Sequence, residues 1–317
     1  MSTPLQLQSL TKRYTPRGEP AVRDVSLSVP AGELLALVGE SGSGKTTLLR
    51  LISGLERPDQ GSIRIGERTV AAPGAWLPPE ARNVGMVFQD GALFPHLTVA
   101  RNIRYGLRGI PKTRQTEKID TLLCLVGLDG FQHRYPHELS GGERQRLAVV
   151  RALAPEPAVV LLDEPFSSLD PALRRSLRTD IHRILRELNT TAILVTHDTD
   201  DALYVGDRVA VFRNGRIEQI DSPANVYHHP VNGYVARLFG NANAVGAHWI
   251  RPEDMELLAA YAPETHPVVI QEIRDAGRHR EILVTPQEVT PPDTWILHDT
   301  NTPNLKPGNT GWVRLKP

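Results

Sequence analysis

The chain is expected to be an α/β protein built on a mostly parallel sheet with helices on both faces, followed by a small β unit. Fully apolar runs at 33–38, 158–162 and 192–195 read as strands buried on both faces. Segments with helical spacing separate them, which is the alternation that builds a parallel sheet. After 239–246, Phe239-Gly240-Asn241-Ala242-Asn243-Ala244-Val245-Gly246, the composition shifts towards proline and β-branched residues. That stretch reads as a linker, with 1–238 before it and a small β unit at 247–317.

The elements follow in order. Residues 5–10 and 25–29 alternate apolar and polar, as a half-buried strand does. Glu33-Leu34-Leu35-Ala36-Leu37-Val38 is a buried strand, and Thr46-Thr47-Leu48-Leu49-Arg50-Leu51-Ile52 continues as a helix. Gly61–Gly66 is another alternating strand bounded by glycines, and Val84–Phe88 is a strand running into Gln89. From 98 to 152 the pattern is helical, with Leu97, Val99, Ile103 and Leu107 ahead of Leu122, Leu125 and Val126; this insert should stand off the sheet. Ala158–Leu162 is the second buried strand. Pro171 opens a helix over 171–188, whose Arg174, Arg175, Arg178, Arg183 and Arg186 read as a solvated face. Ala192–Val195 is the third buried strand. Asn214-Gly215 between 209–212 and 216–220 predicts a hairpin.

Composition narrows the function. Lys+Arg 36 balances Asp+Glu 36 in 317 residues, so no global field draws the chain to nucleic acid. It carries no 18-residue apolar run and no secretion-signal order at Met1–Gln6, which leads to the expectation of a cytoplasmic chain. Cys124, the single cysteine, excludes an intramolecular disulfide and reads as a small core residue.

Residues 39–47, Gly39-Glu40-Ser41-Gly42-Ser43-Gly44-Lys45-Thr46-Thr47, fit G-x-x-x-x-G-K-[ST]. Glycines let backbone N–H groups approach phosphate oxygens, Lys45 reaches the β/γ-phosphates, and the Thr46 hydroxyl suits Mg²⁺. Strand before and helix after put the phosphates on the helix N-terminus. The chain is therefore expected to bind a nucleoside triphosphate.

A second set of polar groups follows the other strands. Asp163 and Glu164 end the strand at 158–162, His197 follows that at 192–195, and Gln89 follows that at 84–88. Carboxyl ends of strands are where such sheets bind ligands. Asp163 is placed to support Mg²⁺, Glu164 to polarise the attacking water, His197 to hold the γ-phosphate, and Gln89 to touch metal and water. In Leu139-Ser140-Gly141-Gly142-Glu143-Arg144-Gln145-Arg146, Ser140 caps a helix whose first amides form a second anion site.

These residues together resemble the ATP-binding cassette family. Gly39–Thr47 matches its phosphate loop, Gln89 its glutamine loop and Leu139–Glu143 its signature. Asp163-Glu164 matches the magnesium and catalytic carboxylates, Ser167-Ser168-Leu169-Asp170 the loop named for its aspartate, and His197 the switch histidine. Tyr14 falls where the family stacks an aromatic on adenine, and the match runs over 5–238. The resemblance implies a P-loop cassette of parallel-sheet core, antiparallel β subdomain and helical subdomain, with a small OB-like β domain at the C-terminus. It also implies an ATP- and Mg²⁺-dependent ATPase working as a homodimer packed head to tail. Lys45, Thr46, Gln89, Asp163, Glu164 and His197 would act in cis, and Ser140, Gly141, Gly142 and Asp170 from the partner cassette. The common signature ends in Gln where this chain has Glu143, with Arg144 and Arg146 as expected screens of its charge.

The segment 89–111 resembles the importer branch, where it receives a helix of the membrane subunit. His248–Asp254 is similar to the accessory β domain of importers for sugars, polyamines, sulfate, molybdate and ferric iron. With Arg134–Glu138 before the signature, the chain resembles the ferric-iron group most. The implied partners are two transmembrane permease subunits and, indirectly, an extracytoplasmic solute-binding protein, with no nucleic acid, at the cytoplasmic face of the inner membrane. Another solute, an exporter, a soluble cassette ATPase and a degenerate regulatory cassette are the alternatives. The 89–111 segment opposes the exporter, and intact Lys45 and Glu164 oppose the degenerate cassette.

Overall fold

The structure is a computed structural model describing residues 3–107, 109–167, 169–287, 294–299 and 305–316. It divides into two compact units, Met1–Pro223 and Ala224–Pro317.

The first unit runs β1 (Leu5–Lys12), β2 (Val22–Val29), β3 (Leu34–Val38), α1 (Lys45–Ser53), β4 (Gln60–Ile65), β5 (Arg68–Ala72), β6 (Ala75–Trp76) and β7 (Val84–Val87). It continues with α2 (Val99–Arg104), α3 (Lys112–Leu125), α4 (Gly141–Leu153), β8 (Val159–Asp163), α5 (Pro171–Glu187), β9 (Ala192–Thr196), α6 (Thr199–Val205), β10 (Arg208–Arg213) and β11 (Arg216–Asp221). Among the described residues two sheets form: antiparallel β2-β1-β4-β5-β6, and β11-β10-β3-β9-β8-β7. The second sheet is parallel from β10 to β7, and β11 closes its edge antiparallel. In register, Val38 pairs with Thr196, Asp163 with Val195 and Val87 with Leu162, so the carboxyl ends of β3, β9, β8 and β7 share one rim.

The apolar runs explain why this sheet is central. Every residue of β3 and β9 is buried. Successive residues feed different cores: Val160, Leu162 and Leu194 pack with α4 and α5, whereas Leu161, Ile193 and Val195 pack with α1 and the antiparallel sheet. Each such aliphatic side chain contributes about 2 kcal/mol of burial free energy. The predicted strands, the helical 98–152 region and the Asn214-Gly215 hairpin are all present. The pair β5–β6 was not foreseen, because Ala71, Ala72 and Ala75 carry no strand signal.

Two expectations are corrected here. Cys124 is exposed, because Leu122 and Leu123 take the core face of α3. The arginines of α5 are not simply solvated: Arg174 and Arg178 pair with Asp201, which is fully buried on α6. Arg183 pairs with Glu187 and Arg186 with Asp207. A buried carboxylate needs such partners, and sequence spacing does not show them.

The second unit contains α7 (Pro223–His228), α8 (Gly233–Leu238), β12 (Asn243–Val245), β13 (His248–Ile250), β14 (Met255–Leu258), β15 (Thr265–Asp275), β16 (Arg280–Pro286), β17 (Trp295–Asp299) and β18 (Thr310–Leu315). Its antiparallel sheet has the order β14-β18-β15-β16-β17 among the described residues, around a core of Met255, Val268, Ile270, Ile282, Val284, Trp295, Leu297 and Val313. The division by compactness falls earlier than the 238/247 boundary read from composition. Buried Arg251 accounts for this, donating to the carbonyls of Tyr227 (3.0 and 2.9 Å), Ala236 (2.9 Å) and Asn241 (3.1 Å). The 239–246 stretch is ordered too, since Asn243–Val245 pairs with His248–Ile250. Among the described residues no helix is long and apolar enough to cross a membrane.

Candidate functional site

The loop from β3 to α1 is built for a phosphate. Lys45 is buried, and its Nζ donates to Gly39 O (2.8 Å), Glu40 O (2.8 Å) and Ser43 Oγ (3.3 Å). Burial pushes the Lys45 ammonium below its ordinary pKa, while Glu164 and Asp163 act the other way. The glycines have separable causes. A Cβ on Gly39 would lie 2.1 Å from Phe212 O, and one on Gly44, at φ 111°, 2.0 Å from Ala21 O. At Gly42 (φ 79°) a Cβ would meet nothing within 4 Å, so that position faces open space. Gly44 is the N-cap of α1 and supplies no side-chain cap, which leaves the first-turn amides of α1 without the usual partner. Behind the loop, Gly215 N donates to Ser43 O at 2.9 Å. Ser41 is exposed at its crest.

Around this loop stand several predicted side chains. Thr46 Oγ1 donates to Asp163 Oδ1 at 3.5 Å, which brings the two expected magnesium ligands together. Asp163 is pushed above its ordinary pKa, first by burial and then by Glu164; the Thr46 hydroxyl opposes this. Hard oxygen donors on a half-buried carboxylate and a threonine are a suitable set for Mg²⁺. The exposed Tyr14 places its hydroxyl 3.4 Å from Thr47 Oγ1, with Lys12 Nζ 5.7 Å from its ring centre. An aromatic face therefore borders the loop on the side of Thr47.

Glu164 sits one residue past β8 at φ 46°, a left-handed conformation costly for a non-glycine residue. Two contacts hold it there: its N–H donates to Val195 O (2.9 Å), and Ser167 Oγ donates to its carbonyl (3.1 Å). The turn aims Oε2 to within 3.0 Å of His197 Nδ1. His197 in turn follows Thr196, whose hydroxyl accepts from Asp198 N (3.0 Å) and donates to buried Asp201 (3.4 Å). Ser167, named from sequence only as part of the aspartate loop, supports this pair together with Thr196 and Asp201, which were not singled out; the run Thr196-His197-Asp198 was the available signal. Gln89 lies exposed on the turn after β7, beside the end of β8. Among the described residues no hydrogen bond joins Gln89 to Asp163 or Glu164.

The signature residues form a separate patch. Ser140 caps α4, with Oγ accepting from Glu143 N at 3.4 Å, and Ser140 N donates to Glu143 Oε2 at 2.7 Å. This reciprocal capping box explains the glutamate. The Ser140 N–H holds the Glu143 carboxyl below its ordinary pKa, with Arg146 and Arg134 assisting. Arg146 therefore screens as expected, whereas Arg144 is engaged with Leu139 O (2.7 Å). Gly142 lets α4 approach α5 closely, since a Cβ there would fall 2.7 Å from Leu173 Cδ1; at Gly141 the neighbour is Leu169, at 3.4 Å. Asp170 caps α5, accepting from Ala172 N and Leu173 N. Ser168 lies outside the described residues. Among those described, no hydrogen bond links Ser140, Gly141, Gly142 or Asp170 to the phosphate-loop group.

The ABC transporter family model matches residues 22–167. The sulfate/thiosulfate import ATP-binding protein CysA of Nocardia farcinica is 48% identical over 239 residues, 75% of this chain and 71% of its own length. The Fe(3+) ions import ATP-binding protein FbpC of Pseudomonas fluorescens is 49% identical over 239 residues, 75% of this chain and 67% of its own. Among solved structures, a dimeric ATP-binding cassette in a post-hydrolysis state bound to ADP and Pi is 29% identical, with TM-score 0.59, and aligns with 69% of this chain and 98% of its own. The chain belongs to the ABC transporter family and is one of its ATP-binding ATPase subunits.

Proposed function

We propose that the chain is the ATP-hydrolysing subunit of an importer for sulfate or a similar oxyanion, working as a homodimer at the inner face of the membrane beneath two permease subunits. The substrate class rests on one observation. Sulfate/thiosulfate import ATP-binding proteins recur among the relatives, at 48% identity in Nocardia farcinica, 47% in Mycobacterium tuberculosis and 44% in Pseudomonas syringae and Burkholderia pseudomallei, against a ferric-iron relative at 49%. Ferric iron, expected from sequence, is therefore the second reading, supported by the 49% identity of FbpC.

In the proposed reaction Lys45 and the amides of 42–46 hold the β- and γ-phosphates of ATP. Thr46 and Asp163, with Gln89 beside them, would hold Mg²⁺, which neutralises charge developing on the phosphates. Glu164 accepts the proton of the attacking water, and His197 keeps the Glu164 carboxylate oriented. Ser140 and the Gly141 and Gly142 amides of a second copy close on the γ-phosphate, with Asp170 supporting that contact. Tyr14 stacks on the adenine. The partly exposed loop 89–98 is knit by buried Asn102, whose amide donates to Phe94 O and Leu97 O and accepts from Phe94 N. That ordering suits the loop to receive a permease helix.

Labelled sulfate and ferric-iron uptake in a strain lacking the gene tests the reading. The wild-type chain should restore sulfate uptake and Glu164→Gln should not. Restoration of iron uptake alone would overturn the assignment.

A further inference from the structure

The C-terminal unit carries a cluster that the ATPase does not use. Glu281 on β16 and His298 on β17 are directly opposite in the antiparallel register. His279 lies in the bend just before β16, and its ring comes beside that of His298. Their donor atoms lie within 4.8 Å of one another, and all three side chains are half-buried. The two imidazoles are 3.9 Å apart between ring centres. His279 Nε2 is buried without a hydrogen-bond partner. An orphaned imidazole nitrogen facing a second imidazole and a carboxylate is a costly arrangement unless something occupies their centre.

We propose that His279, Glu281 and His298 bind one first-row divalent transition-metal ion, with Zn²⁺ as the representative. Two nitrogens and one carboxylate disfavour Mg²⁺ and Ca²⁺, which prefer oxygen, and suit Zn²⁺, Co²⁺ or Ni²⁺. Ligands on one such ion sit about 2.0–2.2 Å from it, so small side-chain rotations draw the donors together. A further carboxylate stands close to the cluster. Glu253 Oε2 lies 3.7 Å from His298 Nδ1, and Glu253 Oε1 accepts from Tyr227 OH at 2.6 Å. A carboxylate behind a ligating histidine fixes ring orientation by a hydrogen bond, and a small rotation of His298 would bring Glu253 within that reach. Lys316 adds positive charge near His298, opposed by Glu253 and Glu281. The open positions of a three-ligand site are where a regulatory anion or a further ligand would add.

The test uses the full chain, stripped with chelator and free of nucleotide. Calorimetric titration with Zn²⁺ should give one ion per chain, and Co²⁺ should give visible absorption bands of a nitrogen-ligated site. His279→Gln, His298→Gln and Glu281→Gln should each weaken Zn²⁺ binding at least ~10-fold and remove the Co²⁺ bands, and Glu253→Gln should weaken it ~10-fold. The exposed His248→Gln should leave both unchanged. Melting without metal identifies any variant that fails to fold, and the other two then decide. No stoichiometric binding at micromolar Zn²⁺, binding unchanged in all folded ligand variants, or binding lost in Thr46→Val instead would overturn the proposal.

Discussion

Two helix N-termini in the cassette, those of α1 and α4, differ in how they are finished. The α1 end is capped by Gly44, which offers no side chain, and its lysine is already braced by Gly39 O and Glu40 O. The α4 end is closed on itself by the Ser140–Glu143 box. An uncapped, pre-braced end should bind phosphate from a single chain. At the self-capped end the Ser140 hydroxyl must share or surrender its hydrogen bond before it engages anything else. In the proposed paired site the contrast would set an order, with the phosphate loop filling first and the signature adding its contacts once a second chain supplies them.

Four substitutions break or sharpen that contrast. Glu164→Gln should lower ATP turnover ~10²–10⁴-fold, the usual worth of a general base, while leaving both helix ends intact. An ATP-dependent dimer should then accumulate by size-exclusion chromatography; a species that stays monomeric with ATP breaks the paired site. Lys45→Ala should weaken nucleotide binding ~10–100-fold in a single chain, because a charge-assisted contact is lost and two carbonyls are left unbraced. Ser140→Ala should cost α4 about 1 kcal/mol of capping, seen as a lower melting temperature. It should leave ATP binding to a single chain unchanged, and a loss equal to that of Lys45→Ala would erase the difference between the two ends. The smallest effect is expected for Glu143→Gln, since glutamine also closes a capping box. Turnover should shift within about twofold, and its abolition would mean the carboxylate does more than cap.

The central sheet was legible because burial on both faces writes itself as unbroken apolar runs, as at Leu34–Val38 and Ala192–Val195. The site was legible because Lys45, Asp163, Glu164 and His197 each follow such a run, and one register gathers them on one rim. What stayed hidden depends on partners far away in the chain. Asp201 reads as a surface acid until Arg174 and Arg178 are seen around it. Arg251 reads as exposed until its carbonyl partners show that it binds 224–241 to the C-terminal strands. His279 and His298 carry no motif, and only the β16–β17 pairing makes them neighbours. Gly142 looks like an anion-binding glycine, yet its closest constraint is Leu173.

The turn between β10 and β11 has a practical consequence. Asn214 and Gly215 form the tip of a short hairpin, at φ 47° and 77°, the sort of place chosen for epitope tags or grafted loops. Here the tip is not spare. Gly215 N anchors Ser43 O, Gly215 O receives Arg23 N, and a Cβ on Gly215 would crowd Pro20 O at 2.9 Å. An insertion there would be felt as a change in nucleotide affinity, so the hairpin should be left untouched in any engineered version of this motor.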